Sequence, residues 1–304
     1  MRFAGRHIIS IRDLTREEML TIIKTARKME KQEHANMMRG KILATLFYEP
    51  STRTRLSFES AMKRLGGKVI GFATGSVSSA AKGETIHDTI KMVEGYADAV
   101  VIRHPIEGAA RAAANASTIP VINAGDGANQ HPTQTLLDLY TIAKTKGRLE
   151  KLRVGFVGDL KYGRTVHSLA YALAMFQTQA TFISPESLRM PSDLLMELDD
   201  MGMQYREART LEGNCADLDI LYVTRIQKER FPDPLDYEKV KNAYIIDRRY
   251  LREFGKQLRI MHPLPRVNEI HPEIDRTPHA LYFEQAHNGI PTRQAILALV
   301  TGAI

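Results

Sequence analysis

Arginines, hydroxyl residues and histidines recur in this sequence where predicted strands end, and these side chains bind small anions. The densest group is Ser51-Thr52-Arg53-Thr54-Arg55, directly after the apolar run 41–47. Backbone N–H groups at a helix start can donate to a ligand, and the helix dipole favours negative charge there. Hydroxyl and guanidinium groups add donors that match phosphate oxygens. The segment predicts a phosphate site, although a Ser helix cap followed by an Arg55–Glu59 pair explains the same residues about as well.

Two further segments place polar donors at the ends of predicted strands. Arg103-His104-Pro105 follows one strand, and His131-Pro132-Thr133-Gln134 follows the glycine-rich segment 124–127. Taken singly, a histidine beside a proline is more often a loop residue than a catalytic one. Because ligands of open parallel sheets bind at the carboxyl ends of the strands, these donors and the first segment are expected to converge.

The segment 157–165, VGDLKYGRT, comes close to the phosphate-binding P-loop pattern. It connects a predicted strand to a predicted helix, but Arg164 stands where the pattern requires lysine. Asp247, after an apolar run, could act as the matching magnesium ligand. A P-loop NTPase is therefore an alternative, weakened because a guanidinium group is bulkier than an ammonium group. A dinucleotide-binding dehydrogenase fits less well, since the glycines at 155 and 158 lack the required spacing.

Three more polar segments complete the set. The charged run 224–230 follows another predicted strand, and such runs are usually solvated loops. Two prolines hold the segment 262–266, His-Pro-Leu-Pro-Arg, in a rigid shape, so its backbone carbonyls can act as acceptors. The segment 78–84 is small and polar, and Lys82 is its only cation. Its composition alone indicates a mobile loop.

Strands and helices alternate along the chain, which explains how these segments are positioned. The predicted strands are 41–47, 69–73, 99–103, 120–124, 152–157, 180–184, 219–224, 244–246 and 258–261. The predicted helices are 15–29, 51–65, 84–96, 107–117, 132–146, 165–176, 192–201 and 292–300. Such alternation predicts an α/β fold of two doubly wound domains, each a parallel sheet flanked by helices. We expect the domains at 1–133 and 134–288, linked by long helices, with the C-terminal helix 289–304 packing back on the first.

Composition limits the class of protein. The chain has 304 residues, about right for two domains of ~150 residues each. Cys215 is the only cysteine, which excludes a disulfide framework and a cysteine-rich zinc site. The first residues contain no apolar signal segment, and no apolar run approaches the ~18 residues of a membrane span. We predict a soluble cytoplasmic protein that binds no membrane.

Net charge points to anionic ligands. The formal charge is +7, but the basic residues are dispersed and several stand beside Ser, Thr, Gly or His. That pattern favours small-anion binding over a nucleic-acid surface. A basic nucleic-acid-binding protein is the alternative from a different class, and it would show steep salt dependence and no turnover.

Seven blocks, taken together, resemble the aspartate/ornithine carbamoyltransferase family. They are STRTR, KGET, RHP, HPTQTLLDL, VGDLKYGRTVHS, TRIQKER and HPLPR, in this order from Ser51 to Arg266. The resemblance covers essentially the whole chain. The Lys82 segment, TRIQKER and HPLPR indicate the aspartate branch, since the ornithine branch typically carries a cysteine in the loop that reads His262-Pro263-Leu264-Pro265 here. One lysine precedes Gly-Glu, where some relatives carry two.

The resemblance implies a role for each matching residue. It assigns the residues that bind carbamoyl phosphate as Ser51, Thr52, Arg53, Thr54, Ser78, Arg103, His131, Gln134, Pro263 and Leu264. It assigns the residues that bind aspartate as Lys82, Arg164, Arg225, Gln227 and Leu264. Within these sets, the resemblance gives the catalytic roles to Arg53, Thr54, Lys82, Arg103, His131 and Gln134. Domain 1–133 would then bind carbamoyl phosphate and domain 134–288 would bind aspartate.

The implied activity is transfer of the carbamoyl group from carbamoyl phosphate to the amino group of L-aspartate. The products are N-carbamoyl-L-aspartate and phosphate, an early step of pyrimidine synthesis, and no metal or organic cofactor is implied. Thr54, Arg103 and His131 would stabilise the carbamoyl oxygen as charge develops on it. Five cations would face about four negative charges on the two substrates. An ornithine-type enzyme is the alternative within the family.

The resemblance also implies an assembly. Ser78 and Lys82 would enter the site of a neighbouring subunit, so that a homotrimer shares its active sites. Some relatives add regulatory chains, and others act as bare trimers. Glu49 would pair with Arg164 and Arg230 in a closed, substrate-bound state.

Overall fold

The computed structural model describes residues 3–228, 231 and 233–304, with the backbone alone at positions 79 and 80. They form two units. Unit 1 comprises Met1–Tyr140 and Asn288–Ile304, and unit 2 comprises Thr141–His287. The boundary falls inside a helix, whereas the sequence pattern placed it at the start of that helix. A continuous helical pattern has no break that marks where one core ends and another begins.

Unit 1 is a four-stranded parallel sheet with helices. Its strands are β1 (Ile42–Phe47), β2 (Lys68–Phe72), β3 (Ala99–His104) and β4 (Val121–Asp126), in the order β2-β1-β3-β4. Its helices are α1 (Arg16–Lys31), α2 (Thr52–Arg64), α3 (Ile86–Val93), α4 (Ala109–Ala116), the start of α5 (Pro132–Lys146) and the C-terminal α10 (Gly289–Val300). The central strands β1 and β3 are almost continuously buried, as expected of a parallel sheet covered on both faces.

Unit 2 is a five-stranded parallel sheet with helices. Its strands are β5 (Arg153–Val157), β6 (Gln179–Ile183), β7 (Tyr205–Ala208), β8 (Ile220–Val223) and β9 (Arg259–Met261), in the order β7-β6-β5-β8-β9. Its helices are α6 (Arg164–Ala174), α7 (Ser192–Asp200), α8 (Pro234–Val240) and α9 (Tyr282–His287). The predicted α/β class, with two doubly wound parallel sheets, is confirmed.

Each sheet has one point at which the order of the strands reverses direction. In unit 1 that point lies between β1 and β3, where Phe47, the last residue of β1, pairs with Arg103. In unit 2 it lies between β5 and β8, where Val157 pairs with Val223. Ligands of open parallel sheets bind in the crevice outside the carboxyl ends of the strands at such a point. The topology therefore marks one candidate ligand position in each unit.

Some elements differ from the sequence-based expectation. Strand β7 and helices α8 and α9 were not predicted. β7 is an edge strand whose residues are intermediate or exposed, so it lacks an apolar run. The predicted strand 244–246 is wrong, because Ile246 forms only a single bridge to Ile270. Its apolar residues are buried in the core of unit 2 instead of pairing along a strand.

The core of unit 2 also encloses the only cysteine of the sequence. Cys215 is 1% exposed and lies in a cluster with Leu218, Leu221 and Phe254. Burial, together with nearby acidic residues such as Glu253, raises the pKa of its thiol to about 12. Cys215 is therefore a core residue and not a reactive group.

In the described part of the chain, no helix combines the length and apolarity needed to cross a membrane. Nor do the described residues include a group of three or more His, Cys, Asp or Glu side chains that could hold a metal ion.

Candidate active site

Helix α2 begins at the switch point of unit 1 and carries the first hydroxyl-rich segment. Thr52 is its first residue and Ser51 is its N-cap, yet within the described chain the Ser51 side chain makes no capping hydrogen bond. The first turn contains no acidic residue that would offset the positive end of the dipole. Arg55 and Glu59 pair at 3.4 Å, as the capping interpretation requires. The capping interpretation nevertheless fails at Ser51, and the unused cap favours an anion at this helix start.

Two arginines lie close together beside this helix start. Burial and the neighbouring charge of Arg103 lower the pKa of the Arg53 guanidinium. Arg103, at the end of β3, pairs with Glu49 at 2.5 Å and donates through Nη1 to the Ala124 carbonyl at 3.2 Å. Its Nε is buried without a hydrogen-bond partner among the described residues. Like charges held together destabilise each other, so a bound dianion would stabilise this pair.

The loop after β4 is organised by a buried carboxylate that the sequence-based reasoning did not single out. Asp126 is 1% exposed and accepts four hydrogen bonds, each of 2.9–3.0 Å. The donors are the backbone N–H groups of Gly108 and Gln130 and the side-chain amides of Asn123 and Asn129. A buried carboxylate needs such partners, and here they fix the loop that leads to His131. An acidic residue between two glycines at a strand end is the signal that could have indicated this role.

His131 and Gln134 lie at the start of α5. Pro132 occupies the first helical position, which suits proline because it lacks an N–H group. The His131 carbonyl accepts from the Gln134 N–H at 2.9 Å, and the imidazole is buried. Gln134 donates through Nε2 to Asp138 Oδ1 at 2.9 Å. Both predicted residues therefore stand at the carboxyl edge of the sheet that carries Arg103.

The loop with Ser78 and Lys82 follows β2. It forms two short 3-10 turns, Gly75–Val77 and Ser79–Lys82, and Ser78 donates through Oγ to the Gly75 carbonyl at 2.8 Å. The Lys82 side chain is exposed.

Unit 2 has its own polar cluster at the switch point between β5 and β8. Gly158 has a φ of +121°, and a Cβ there would lie 2.2 Å from the Thr224 carbonyl oxygen, so only glycine fits. Asp159, fully buried, accepts from the Tyr162 N–H at 2.9 Å and donates its own N–H to Thr224 Oγ1 at 3.2 Å. These contacts hold the loop that ends at Arg164, the first residue of α6.

The contacts of Asp247 overturn the P-loop alternative. A P-loop protein holds magnesium with an acidic residue at the end of a sheet strand, but no strand forms at 244–246 in the described chain. Asp247 instead accepts from Arg249 Nε at 2.8 Å.

Arg225 and Gln227 follow β8 and are partly buried. The charge of Arg225 contributes to the lowered pKa of the His262 imidazole, which indicates that the two residues are close. With Arg164, these residues place guanidinium and amide donors at the carboxyl edge of the sheet of unit 2. Arg230, the predicted partner of Glu49, lies outside the described residues.

The segment 262–266 is held by a buried histidine. Leu264 donates its N–H to His262 Nδ1 at 2.7 Å, so Nδ1 must be the unprotonated nitrogen. His262 Nε2 therefore donates to Glu269, at 2.7 Å. Burial, opposed by Glu269, lowers the pKa of this imidazole, which matches the neutral form that the geometry requires. Leu264 has a φ of +52°, so the backbone that carries the Pro263 and Leu264 carbonyls is held in an unusual shape.

This histidine predicts an acid-sensitive fold. The unfolded imidazole has an ordinary pKa of about 6.5 and the folded one lies lower, so His262 contributes its full stability above pH ~6.5. Below that pH the unfolded state binds a proton and the folded state does not. Between pH 7.5 and 5.5, the wild type should therefore lose about 1 kcal/mol more unfolding free energy than His262→Gln. Urea unfolding at the two pH values measures this difference.

The exposed His87 provides the matched control for that measurement. His87→Gln should lose as much unfolding free energy on acidification as the wild type does. Equal losses in wild type and His262→Gln would show that His262 is not held neutral.

Comparison with known proteins covers the chain from end to end. Residues 6–144 match the family model "Aspartate/ornithine carbamoyltransferase, carbamoyl-P binding domain", and residues 150–300 match the "Asp/Orn binding domain". A relative from Thermococcus onnurineus, named aspartate carbamoyltransferase catalytic subunit, is 58% identical over 308 residues, which is 100% of this chain and 99% of that protein. A relative of the same name from Methanocaldococcus jannaschii is 56% identical, over 96% of each chain.

Solved structures agree with the sequence comparison. The catalytic subunit of M. jannaschii aspartate transcarbamoylase is similar with a TM-score of 0.90 at 56% identity, over 96% of both chains. Aspartate transcarbamoylase from Trypanosoma cruzi, solved with N-(phosphonacetyl)-L-aspartic acid, has a TM-score of 0.92 at 37% identity, over 98% of this chain and 96% of that one. The chain therefore belongs to the aspartate/ornithine carbamoyltransferase family.

Proposed function

We propose that this protein is the catalytic chain of an aspartate carbamoyltransferase, which forms N-carbamoyl-L-aspartate and phosphate in pyrimidine biosynthesis. The observation that carries the proposal is that arginines stand at the switch point of each unit, Arg53 and Arg103 in one and Arg164 and Arg225 in the other. Two separate cationic positions suit two anionic substrates. The names of the relatives, which are 53–58% identical over nearly the full chain, identify those substrates.

Carbamoyl phosphate binds in unit 1. The N-terminus of α2 offers backbone N–H groups and the hydroxyls of Ser51, Thr52 and Thr54, and the Arg53–Arg103 pair adds two cations. Arg103, Thr54 and His131 donate to the carbamoyl oxygen. The amide oxygen of Gln134 accepts from the carbamoyl NH₂ group.

Aspartate binds through residues of unit 2. Arg164 and Arg225 each bind one carboxylate through the planar fork of the guanidinium group, and Gln227 assists. Arg164 begins α6 and Arg225 follows β8, and the contacts of Gly158 and Asp159 with Thr224 join the loops that lead to these two arginines.

The reaction needs little more than positioning and charge stabilisation. The aspartate amino nitrogen forms a bond to the carbamoyl carbon, and negative charge develops on the carbamoyl oxygen, where the three donors of unit 1 stabilise it. The bond from that carbon to the phosphate oxygen then breaks. The departing phosphate takes the proton from the attacking nitrogen, so no side chain has to act as a base. Holding both substrates in reacting geometry supplies much of the rate enhancement.

The proposed assembly is a cytoplasmic homotrimer in which Ser78 and Lys82 complete the site of a neighbouring subunit. The exposure of Lys82 supports this, since its side chain is accessible to a neighbouring subunit. Lys82 would then bind both substrates. The relatives are named catalytic subunits, which supports a regulatory chain as an additional partner.

One assay tests the function. The protein is incubated with carbamoyl phosphate and aspartate, with carbamoyl phosphate and ornithine, and with ATP alone, and phosphate release is measured. Phosphate release that requires aspartate, with N-carbamoyl-aspartate as the second product, supports the proposal. Release with ornithine instead identifies the other branch of the family, and release from ATP alone identifies an NTPase.

Arg225→Lys should impair the use of aspartate specifically. A two-bond fork becomes a point charge, and loss of one charged hydrogen bond should raise the KM for aspartate about tenfold or more. The dissociation constant for carbamoyl phosphate, measured by calorimetry, should be unchanged.

Arg209→Lys is the matched control, because that arginine is 76% exposed and pairs only with a surface glutamate among the described residues. It should behave as the wild type. Equal loss of affinity for both substrates in Arg225→Lys would contradict the assignment.

A further inference from the structure

A buried polar network joins α2, α5 and α10 in unit 1. Arg293 of α10 is 3% exposed, and its Nη1 donates to Ser57 Oγ of α2 at 2.8 Å. Asp138 of α5 is fully buried, and it is the acidic group whose charge acts on Arg293. The two residues are 155 positions apart, and neither is assigned a role by the reaction described above.

The guanidinium group of Arg293 is closely surrounded by other groups of unit 1. Burial lowers the pKa of Arg293 to about 10, and Asp138 opposes that change. Its guanidinium lies 5.0 Å from the centre of the Phe58 ring. A Cβ on Gly289 would come within 2.3 Å of Arg293 Nη1, so a larger residue there would displace the side chain. Buried charges of this kind are often less stabilising than apolar residues of equal size. Asp138 is the acidic group that offsets this buried charge.

Asp138 also contacts Gln134, which lies one turn earlier on α5. The side-chain amide of Gln134 donates through Nε2 to Asp138 Oδ1 at 2.9 Å. An ionised carboxylate only accepts hydrogen bonds, so the nitrogen of the amide must face Asp138 and the oxygen must face the opposite way. Without that partner, the two orientations of an amide differ little in shape.

We propose that Asp138, held in place by Arg293, is a positioning residue that fixes the orientation of the Gln134 amide so that Oε1 accepts from the carbamoyl NH₂ group. The inference rests on the proposed function, because it presupposes carbamoyl phosphate as the ligand of unit 1. It makes Asp138 and Arg293 determinants of how the site distinguishes an NH₂ group from a methyl group.

Asp138→Asn tests this by replacing one carboxylate oxygen with an NH₂ group. The buried guanidinium attracts the single remaining oxygen of the new amide, so its NH₂ group faces Gln134. The Gln134 amide then turns over, and its own NH₂ group opposes that of the substrate. Calorimetry compares carbamoyl phosphate with acetyl phosphate, which carries a methyl group in place of NH₂. The wild type should prefer carbamoyl phosphate, and the variant should lose about tenfold of that preference.

Two controls separate positioning from general damage. Tyr140 lies on α5, as Asp138 does, and donates a hydrogen bond to Glu30. Tyr140→Phe removes this bond and should leave the preference for carbamoyl phosphate over acetyl phosphate unchanged, even if stability falls. Affinity for inorganic phosphate should stay within about twofold of the wild type in Asp138→Asn, since the α2 donors are intact. A merely structural role would weaken all three ligands alike.

The outcomes are distinct. An unchanged preference in folded Asp138→Asn overturns the proposal. If that variant does not fold, a structure of the wild-type complex with carbamoyl phosphate shows how the Gln134 amide is oriented and tests the proposal. A Gln134 amide that still contacts Asp138 and directs Oε1 to the ligand supports the proposal, and an amide turned away from Asp138 overturns it. A wild type that binds neither carbamoyl phosphate nor acetyl phosphate would instead overturn the proposed function itself.

Discussion

His131→Ala is expected to lower kcat about 10²-fold or more while carbamoyl phosphate still binds. The imidazole is buried at the start of α5, where its loop is fixed by the hydrogen bonds to Asp126. Its proposed role is to donate to the carbamoyl oxygen, where charge is greatest in the transition state. Removal of one such donor typically costs 10²–10³ in kcat. Steady-state kinetics gives kcat, and calorimetry gives the dissociation constant for carbamoyl phosphate.

His87→Ala is the control for loss of a histidine, because that side chain is exposed on α3. It should retain wild-type kcat. Near-normal turnover in His131→Ala would exclude the oxyanion role. A large loss of carbamoyl phosphate affinity with unchanged kcat would assign His131 to ground-state binding instead.

Arg53→Ala and Lys82→Ala should each abolish nearly all activity, and a mixture of the two variants should recover part of it. Arg53 lies beside the phosphate position of its own chain, whereas Lys82 stands on an exposed loop. In a ring of three subunits, each site would combine Arg53 of one chain with Lys82 of the next. Any mixed trimer has one interface at which both residues are intact, so its activity should approach a third of the wild-type value.

The experiment requires reversible dissociation of the two variants and isolation of hybrids by a charge tag. Unmixed variants carried through the same cycle provide the control, and they should stay inactive. Hybrids of verified composition that show no recovered activity would place Lys82 in the site of its own chain or outside catalysis.

Local patterns predicted most of the strands that carry the site, because buried parallel strands read as short apolar runs. Strand β7 escaped prediction because Tyr205–Ala208 lies at the sheet edge and has no buried residue, so it contains no apolar run. The run at 244–246 was wrongly predicted as a strand because Tyr244 and Ile246 are buried in the core of unit 2 without forming strand pairs. Short apolar segments do not reveal whether their backbone groups pair with a neighbouring strand.

The residues of the candidate site also fall into a group that the sequence predicted and a group that it did not. The donors at strand ends were predictable, because residue type and topology together indicate an anion at the carboxyl edge. The roles of Asp126 and Asp138 were not predicted, since each depends partly on groups from distant parts of the chain. Asp126 binds the N–H of Gly108 across 18 residues, and Asp138 acts together with Arg293 of the last helix. Contacts between residues far apart in the chain produce no pattern that can be recognised in the sequence.

The burial of Cys215 makes this protein convenient for spectroscopy. Cys215 is 1% exposed and burial raises the pKa of its thiol, so we expect maleimide reagents to react with it slowly. A cysteine introduced by Val77→Cys, at a position that is 74% exposed in the loop before Lys82, would be the single reactive thiol of the chain. A fluorophore attached there would report substrate-dependent movement of that loop without removal of any native residue from the core.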